Sequence, residues 1–528
     1  MADAVVIGAG PNGLVAANKL ADAGWDVLVL EAQPEPGGAV RSAPLTLPGF
    51  THDRFSAFYP LGVGSPHIAS LRLEEHGLRW RAAPVVVADP LEDGTAAIMS
   101  RDLEETCASV EAGAPGDGDA WRELITWWDS IGPRFIAALM DPFPPVRNGA
   151  RLALSLGGPR GVLDFARFGL LSVRRFSFER FRGDAAGRIL AGNALHPDIT
   201  PDTPGGAIFG MTLVGLGQRL GWPVPEGGAG RLTDALVARL KSKGGRLECG
   251  ARVERILVRG GRAVGVRTAD GREAEARRAV LADTGAPQLY LELLDPELVP
   301  ARVFDGVRRF QYDAGTVKVD WALDGPIPWA APDVARAGTV HLTGGVDELT
   351  VQASELSRGL IPAKPFLIVG QYAHFDPTRQ PEGKETAWAY THVPQHVVAD
   401  AGPDGLTGRW DRPELEAIMA RMEARLEAVA PGFSARILGR HVAGPREFEA
   451  ADANLVGGAL NGGTAQLHQQ LVFRPFPGLG RTETPIRGLY LASASAHPGG
   501  GVHGAPGANA ARAAIAGERR RRLLAVGR

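Results

Sequence analysis

Residues 4–7, Ala-Val-Val-Ile, run straight into Gly8-Ala-Gly10-Pro-Asn-Gly13 and then into the helical spacing of Leu14, Ala17 and Leu20. A β-prone run, a glycine turn and a helix in this order constrain the local fold more than any other feature of the chain. Gly8 permits the tight turn, Gly10 admits a pyrophosphate against the backbone, and Gly13 lets the helix pack closely on the strand. Pro11 and Asn12 lie at the helix start, where free N–H groups face an anion. Gly24 closes the helix, Trp25 to Leu30 reads as the second strand, and Glu31 ends it. It stands about 20 residues past the turn, placed to accept hydrogen bonds from both ribose hydroxyls. An acidic residue there disfavours a ribose 2′-phosphate, so the nucleotide is expected to be FAD or NAD rather than NADP. A glycine turn alone is weak evidence and a solvated strand end is the bland reading of Glu31; the strand, helix and carboxylate together favour dinucleotide binding.

The next segment, Pro36-Gly37-Gly38-Ala39-Val40-Arg41, separates the two nucleotides. Adjacent Gly37 and Gly38 bring main chain against the ribityl and phosphate region of FAD, and Arg41 can place a guanidinium near phosphate. Near the other end, a strand at Gly488 enters Ala492-Ser-Ala-Ser-Ala-His497-Pro-Gly499-Gly-Gly-Val-His503-Gly504, which opens a helix running to about Ala516. Its positive end suits the negative charge that develops at the N1/O2 side of a reduced flavin.

These motifs are similar to those of flavin amine oxidases and phytoene desaturases. The carboxyl-terminal stretch resembles the signature of the bacterial-type phytoene desaturase family, including the group of pyridine nucleotide-disulfide oxidoreductase domain-containing protein 2. A middle block, Pro225-Glu-Gly-Gly-Ala-Gly230 followed by strands to Asp283, resembles the family's second FAD segment. The resemblance implies that backbone near Val253 meets the adenine and that Gly500, Gly501, Val502 and His503 lie against the flavin. Related flavoproteins carry an acidic residue after the last strand. Here Ser493, Ser495 or backbone groups take its place at the ribityl chain.

The fold expected is α/β. It comprises a Rossmann-type FAD-binding domain of the glutathione reductase-like, amine oxidase/phytoene desaturase kind, with a discontinuous α+β substrate domain. The FAD domain is assigned to 1–60, 215–290 and 440–528, and the substrate-binding cap to 61–214 and 291–439, with the active site between them. Within the cap, 316–323 and 366–374 read as strands of a mixed sheet facing the flavin. Leu415, Ile418, Met422, Leu426 and Val429 have helical core spacing. Segment 147–182 interleaves arginines with apolar residues, which suits either a solvated helical cap, a subunit interface or an anionic membrane face.

With 528 residues the chain exceeds one ordinary core. Its formal net charge of −2 supplies no global field for nucleic acid, and Cys107 and Cys249 build neither a thiol zinc site nor a Cys-x-x-Cys redox centre. No metal is expected. Residues 1–20 lack the pattern of a secretory leader and no apolar run approaches the roughly 20 residues of a membrane span. A cytoplasmic protein is expected, with peripheral membrane contact and homo-oligomerisation as alternatives left open.

A flavin oxidises by taking a hydride at N5, so the candidates for proton management are His503, inside the flavin-facing loop, and His468, ahead of Arg474-Pro475. A structural hydrogen-bonding role is the competing reading for both, and His497 reads as structural. Only one dinucleotide fingerprint is visible, so an external acceptor, oxygen or a quinone, is expected to re-oxidise the flavin. The lead expectation is a desaturase or dehydrogenase acting on an apolar small molecule. The rivals are an amine oxidase, with Trp321, Tyr372, Trp388 and Tyr390 as candidate cage residues, a flavin-dependent isomerase, and a non-catalytic FAD-containing binding protein.

Overall fold

The computed structural model describes residues 1–526, with side chains through Leu523. The strands of its two large sheets are, in chain order, β1 (Ala2–Ile7), β2 (Val27–Leu30), β3 (Val85–Pro90), β4 (Ala96–Ser100), β5 (Arg246–Glu248), β6 (Val253–Arg259) and β7 (Arg262–Thr268). They continue as β8 (Glu273–Ala282), β9 (Gly315–Leu323), β10 (Ala337–Leu342), β11 (Leu367–Gln371), β12 (Glu385–Val393), β13 (Ile437–Ala443) and β14 (Leu489–Leu491). The helices around the site are α1 (Pro11–Asp22), α2 (Asp117–Met140), α3 (Val146–Ser155), α4 (Pro159–Phe168), α5 (Val173–Arg180), α6 (Ala185–Ala194), α7 (Gly206–Leu220), α8 (Gly230–Ser242) and α9 (Ala505–Val526).

The apolar run of β1 is buried along its length, as expected of a strand inside a parallel sheet covered on both faces. β14, β8, β1, β2 and β5 pair in parallel in that order, so strands from the start, middle and end of the chain share one sheet. β8 has two roles. Its first half pairs antiparallel with β7, while its second half enters the parallel core, where Val280 opposes Val5 on one side and Leu489 on the other. This is the α/β fold expected from the glycine turn and its flanking elements.

The second sheet has the order β13-β9-β12-β11-β10-β3-β4 and is mixed, with β3 and β10 parallel and the other pairs antiparallel. Side chains alternate across it with period two. Val317, Val319 and Trp321 of β9 pack with Ile418, Met422 and Leu426 of the helix Arg412–Val429, the segment whose spacing predicts a buried face. Thr316, Lys318 and Asp320 therefore face the other way. Over that second face lie α2, α6 and α7, whose Trp121, Trp128, Ile189, Leu190 and Met211 share a core with Ile368 and Trp388.

Helix α9 returns to the first helix of the chain. A Cβ on Gly507 would sit 1.9 Å from the backbone oxygen of Asn12, so α9 and α1 touch through backbone there, and a Cβ on Gly504, just ahead of α9, would meet the Val15 side chain at 2.7 Å. Gly507→Ala is expected to cost about 2–3 kcal/mol by forcing the two helices apart. A denaturant midpoint equal to that of the wild type would contradict this contact.

Candidate functional site

The turn after β1 is shaped by Asp283, at the end of β8. A side chain at Gly8, whose φ is +93°, would meet the Asp283 backbone oxygen at 3.0 Å, and a Cβ on Gly13 would fall 2.3 Å from Gly8 O. The Asp283 carboxyl accepts from Gly13 N at 2.7 Å. The start of α1 is therefore not left wholly to an anion as the motif suggests, because one of its N–H groups is already capped. Burial pushes the Asp283 carboxyl well above the ordinary range, against the Gly13 N–H that lowers it, with Asp452 and Glu31 adding to the rise. Gly10, Pro11 and Asn12 line the adjoining cavity, and the side-chain oxygen of Asn12 has no protein partner.

Glu31 is buried at the tip of β2. Its Oε2 accepts from Ala9 N at 2.7 Å and its Oε1 from Gln33 N at 2.8 Å, so the carboxylate orients the turn as well as facing the cavity. Burial raises its pKa, and those two N–H groups offset part of the rise. Gly38 packs on the first turn directly, since a Cβ there would sit 3.0 Å from Gly10 Cα. Gly37 has φ +120° and donates its N–H to Ala9 O at 2.9 Å. The two glycine motifs thus form one surface.

Arg41 differs from its expected role. Its Nε donates to Gly38 O at 2.9 Å and a terminal nitrogen to Ala451 O at 2.7 Å, and the side chain stays outside the large cavity. It fastens the second glycine turn to the segment before the carboxyl-terminal block instead of reaching toward phosphate.

One cavity of about 860 Å³ touches Gly8, Gly10, Glu31, Gly38, Val253, Ser493 and Gly500 to His503 together, and continues between the helices and the second sheet. Ser493 Oγ accepts from Ser495 N at 3.2 Å, and Ser495 Oγ donates to Gly462 O at 3.0 Å, so both hydroxyls help to shape this loop. A Cβ on Gly500 would stand 2.7 Å from Asn461, which accounts for glycine there.

The two histidine candidates stand in different surroundings, and only His503 lines the cavity. His503 is buried, its Nδ1 accepts from Ala505 N at 3.1 Å, and its Nε2 stands 3.1 Å from Gly500 O. That pattern fixes a neutral ring with the proton on Nε2. Burial lowers its pKa to about 4, which keeps the ring neutral as it braces the loop at the cavity wall. His468 is exposed, bonds Gln311 at 3.0 Å and does not line the cavity.

Sequence profiles agree with this geometry. That of the NAD(P)-binding Rossmann-like domain matches residues 6–71, and that of the flavin containing amine oxidoreductases matches residues 162–515. The chain belongs to the flavin-containing amine oxidoreductase family. It is an FAD-dependent oxidoreductase, and its glycine cradle, Glu31 and Val253 fit the dinucleotide. A Mus musculus protein named pyridine nucleotide-disulfide oxidoreductase domain-containing protein 2 is 29% identical over 96% of this chain and 92% of its own length. A Myxococcus xanthus protein named zeta-carotene-forming phytoene desaturase is 27% identical over 94% of this chain and 90% of its own. The solved structure of an oxidoreductase from Methanosarcina mazei has a TM-score of 0.62 at 19% identity, covering 97% of this chain and 99% of that one, a likeness of fold.

Four further side chains, none of them among the candidate site residues read from the sequence, organise the site. Lys318 lines the cavity floor, donating to Asp53 O at 2.9 Å and pairing with Asp320. Arg474 is buried, and its guanidinium ties the carbonyls of Asn461, Gly462 and Thr464 to that of Ala494. Asp313 accepts from Leu460 N at 2.8 Å and from the side-chain nitrogen of Asn461 at 3.0 Å. His196 lines the cavity and its Nε2 lies 2.9 Å from that of His341. The local signal for Lys318 was the alternation in Thr-Val-Lys-Val-Asp, which puts Lys318 and Asp320 together on the face opposite the valines. Of the aromatic candidates, Trp388 and Tyr390 line the cavity, Tyr372 lies behind Trp388 and accepts from its Nε1, and Trp321 packs on the opposite face against Phe433.

Replacing Glu31 with Ala removes the acceptor of two backbone N–H groups and is expected to weaken FAD binding roughly tenfold or more, read by fluorescence titration. Asp283 gives a pH dependence. Its folded pKa is raised, so its contribution to stability is present at low pH and lost as pH rises through the folded value. Asp283→Asn keeps an acceptor for Gly13 N and cannot ionise. Its melting temperature relative to wild type is expected to improve steadily from about pH 4 upward; a pH-independent difference would contradict this.

Proposed function

We propose that the chain is a desaturase or dehydrogenase that takes hydrogen from a largely apolar, neutral small molecule such as a polyene, an isoprenoid or a specialised metabolite. Oxygen or a quinone-like acceptor is the proposed final oxidant. The observation that carries this reading is the wall of the cavity beyond the glycine cradle, which is built from Phe135, Phe165, Phe209, Leu213, Trp388 and Tyr390. When bound, FAD supplies a two-electron acceptor that takes a hydride at N5.

The chain's own part is positioning, water exclusion and electrostatics. Apolar walls hold a substrate by shape and keep water from the reacting bond. Lys318 is held on the cavity floor by Asp53 O and by its ion pair with Asp320, which puts a polar group at a fixed place in an otherwise apolar wall. Trp388 and Tyr390 are stacked at an interplanar angle of 16° with centroids 6.0 Å apart, as neighbours on one face of β12. They make one wall rather than two facing walls of a cage, which supports a neutral substrate over an amine.

Anaerobic mixing with polyenes, isoprenoids and amines, followed by mass analysis, tests this reading. The flavin absorbance is expected to bleach with an apolar candidate whose product is lighter by two hydrogen atoms. Bleaching by amines alone would contradict the proposal, and turnover to a product of unchanged mass would indicate isomerisation instead.

A further inference from the structure

Helices α3 and α4 have two apolar sides. Inward, Leu152 and Phe165 line the cavity, and both pack in one cluster with Trp127 and Phe135 of α2. Because both helices rest on α2, their outward residues share one side of the molecule. There Val146 is 74% exposed, Leu154 83%, Leu163 69% and, just past α4, Leu170 66%. Large apolar side chains standing this far into solvent along consecutive helices mark a surface that is covered in use.

The charge around them indicates what covers it. Segment 146–182 contains eight arginines against two acidic residues, Asp164 and Glu179. Glu179 is engaged by Arg167 and Arg175, and Arg174 pairs with Asp202 and Asp347. Arg147, Arg151 and Arg160 are exposed and make no ion pair among the described residues. Arg147 and Arg151, four residues apart, form a stripe beside Val146, Ala150 and Leu154, which recur at the same spacing. Apolar residues flanked by unpaired guanidinium groups on a short helix suit the interface plane of a bilayer with anionic headgroups. A second copy of this chain suits it less, since a two-fold contact sets the same arginines against each other.

We infer that the outer face of α3 and α4 is a docking surface for an anionic lipid bilayer. No helix among the described residues is long and apolar enough to cross a membrane, so the contact is peripheral. It places the lipid one helix layer from the cavity, on the side where Leu152 and Phe165 form its wall.

Flotation of the FAD-loaded protein with vesicles tests the inference. Binding is expected to vesicles of equal parts phosphatidylcholine and phosphatidylglycerol, to fall with added salt, and to be much weaker with phosphatidylcholine alone. Leu154→Glu with Leu163→Glu is expected to abolish flotation while the protein keeps its flavin colour and circular dichroism. Arg147→Glu with Arg151→Glu and Arg160→Glu, a separate variant, is expected to lower the bound fraction on the order of tenfold. Failure to float with the anionic vesicles at low salt, or equal flotation of both variants and wild type, would overturn it. So would light scattering that shows a dimer broken by Leu154→Glu with Leu163→Glu, without vesicle binding by the wild type.

Discussion

The backbone contact between the first and last helices sets the rest of the architecture. With Gly507 against the Asn12 carbonyl and Gly504 against Val15, α9 has no room to shift along α1. Its preceding loop, Gly500 to His503, must then emerge beside Gly8 to Gly13 although some 490 residues separate them in the chain. β14 enters the same sheet as β1 through β8, so strand pairing and helix packing impose one register on both ends. The cavity that both glycine loops line is a consequence of that double constraint.

A second set of interactions joins the nucleotide sheet to the sheet that forms the cavity floor, and Asp53 is its centre. Its Oδ1 accepts from Ala229 N ahead of α8, its Oδ2 from the Tyr372 hydroxyl and the fully buried Arg379, and its backbone oxygen from Lys318. Arg379 is paired in turn with Asp376 and donates to Pro225 O. Buried charges of this kind cost solvation and are retained where every polar atom has a partner. Here they fix the position of Lys318 relative to the glycine cradle, which couples the substrate side of the cavity to the cofactor side.

Much of this arrangement is legible in the residues. The glycine spacing, the carboxylate after the second strand and the glycine loop before the last helix each obey local steric rules, and their positions in the structure follow from those rules. The helix at 412–429 was equally visible, because its buried face is written in one short segment. Side-chain direction was not. His503 lies in the expected loop, yet its ring is turned onto Gly500 and Ala505, and Arg41 stands beside the cradle but bonds carbonyls. Asp53 lies 265 residues before Lys318 and 326 before Arg379, and only the tertiary fold brings it against both. Their partners are tertiary, so no local pattern announces them.

Three stretches far apart in the chain line one cavity, and FAD bound there is expected to protect all of them together. Hydrogen–deuterium exchange on flavin-stripped protein, with and without added FAD, tests it directly. Slower exchange should arise together in peptides covering residues 8–13, 31–38, 252–254 and 493–503. Protection confined to the first of these, or absent from the last, would contradict the claim.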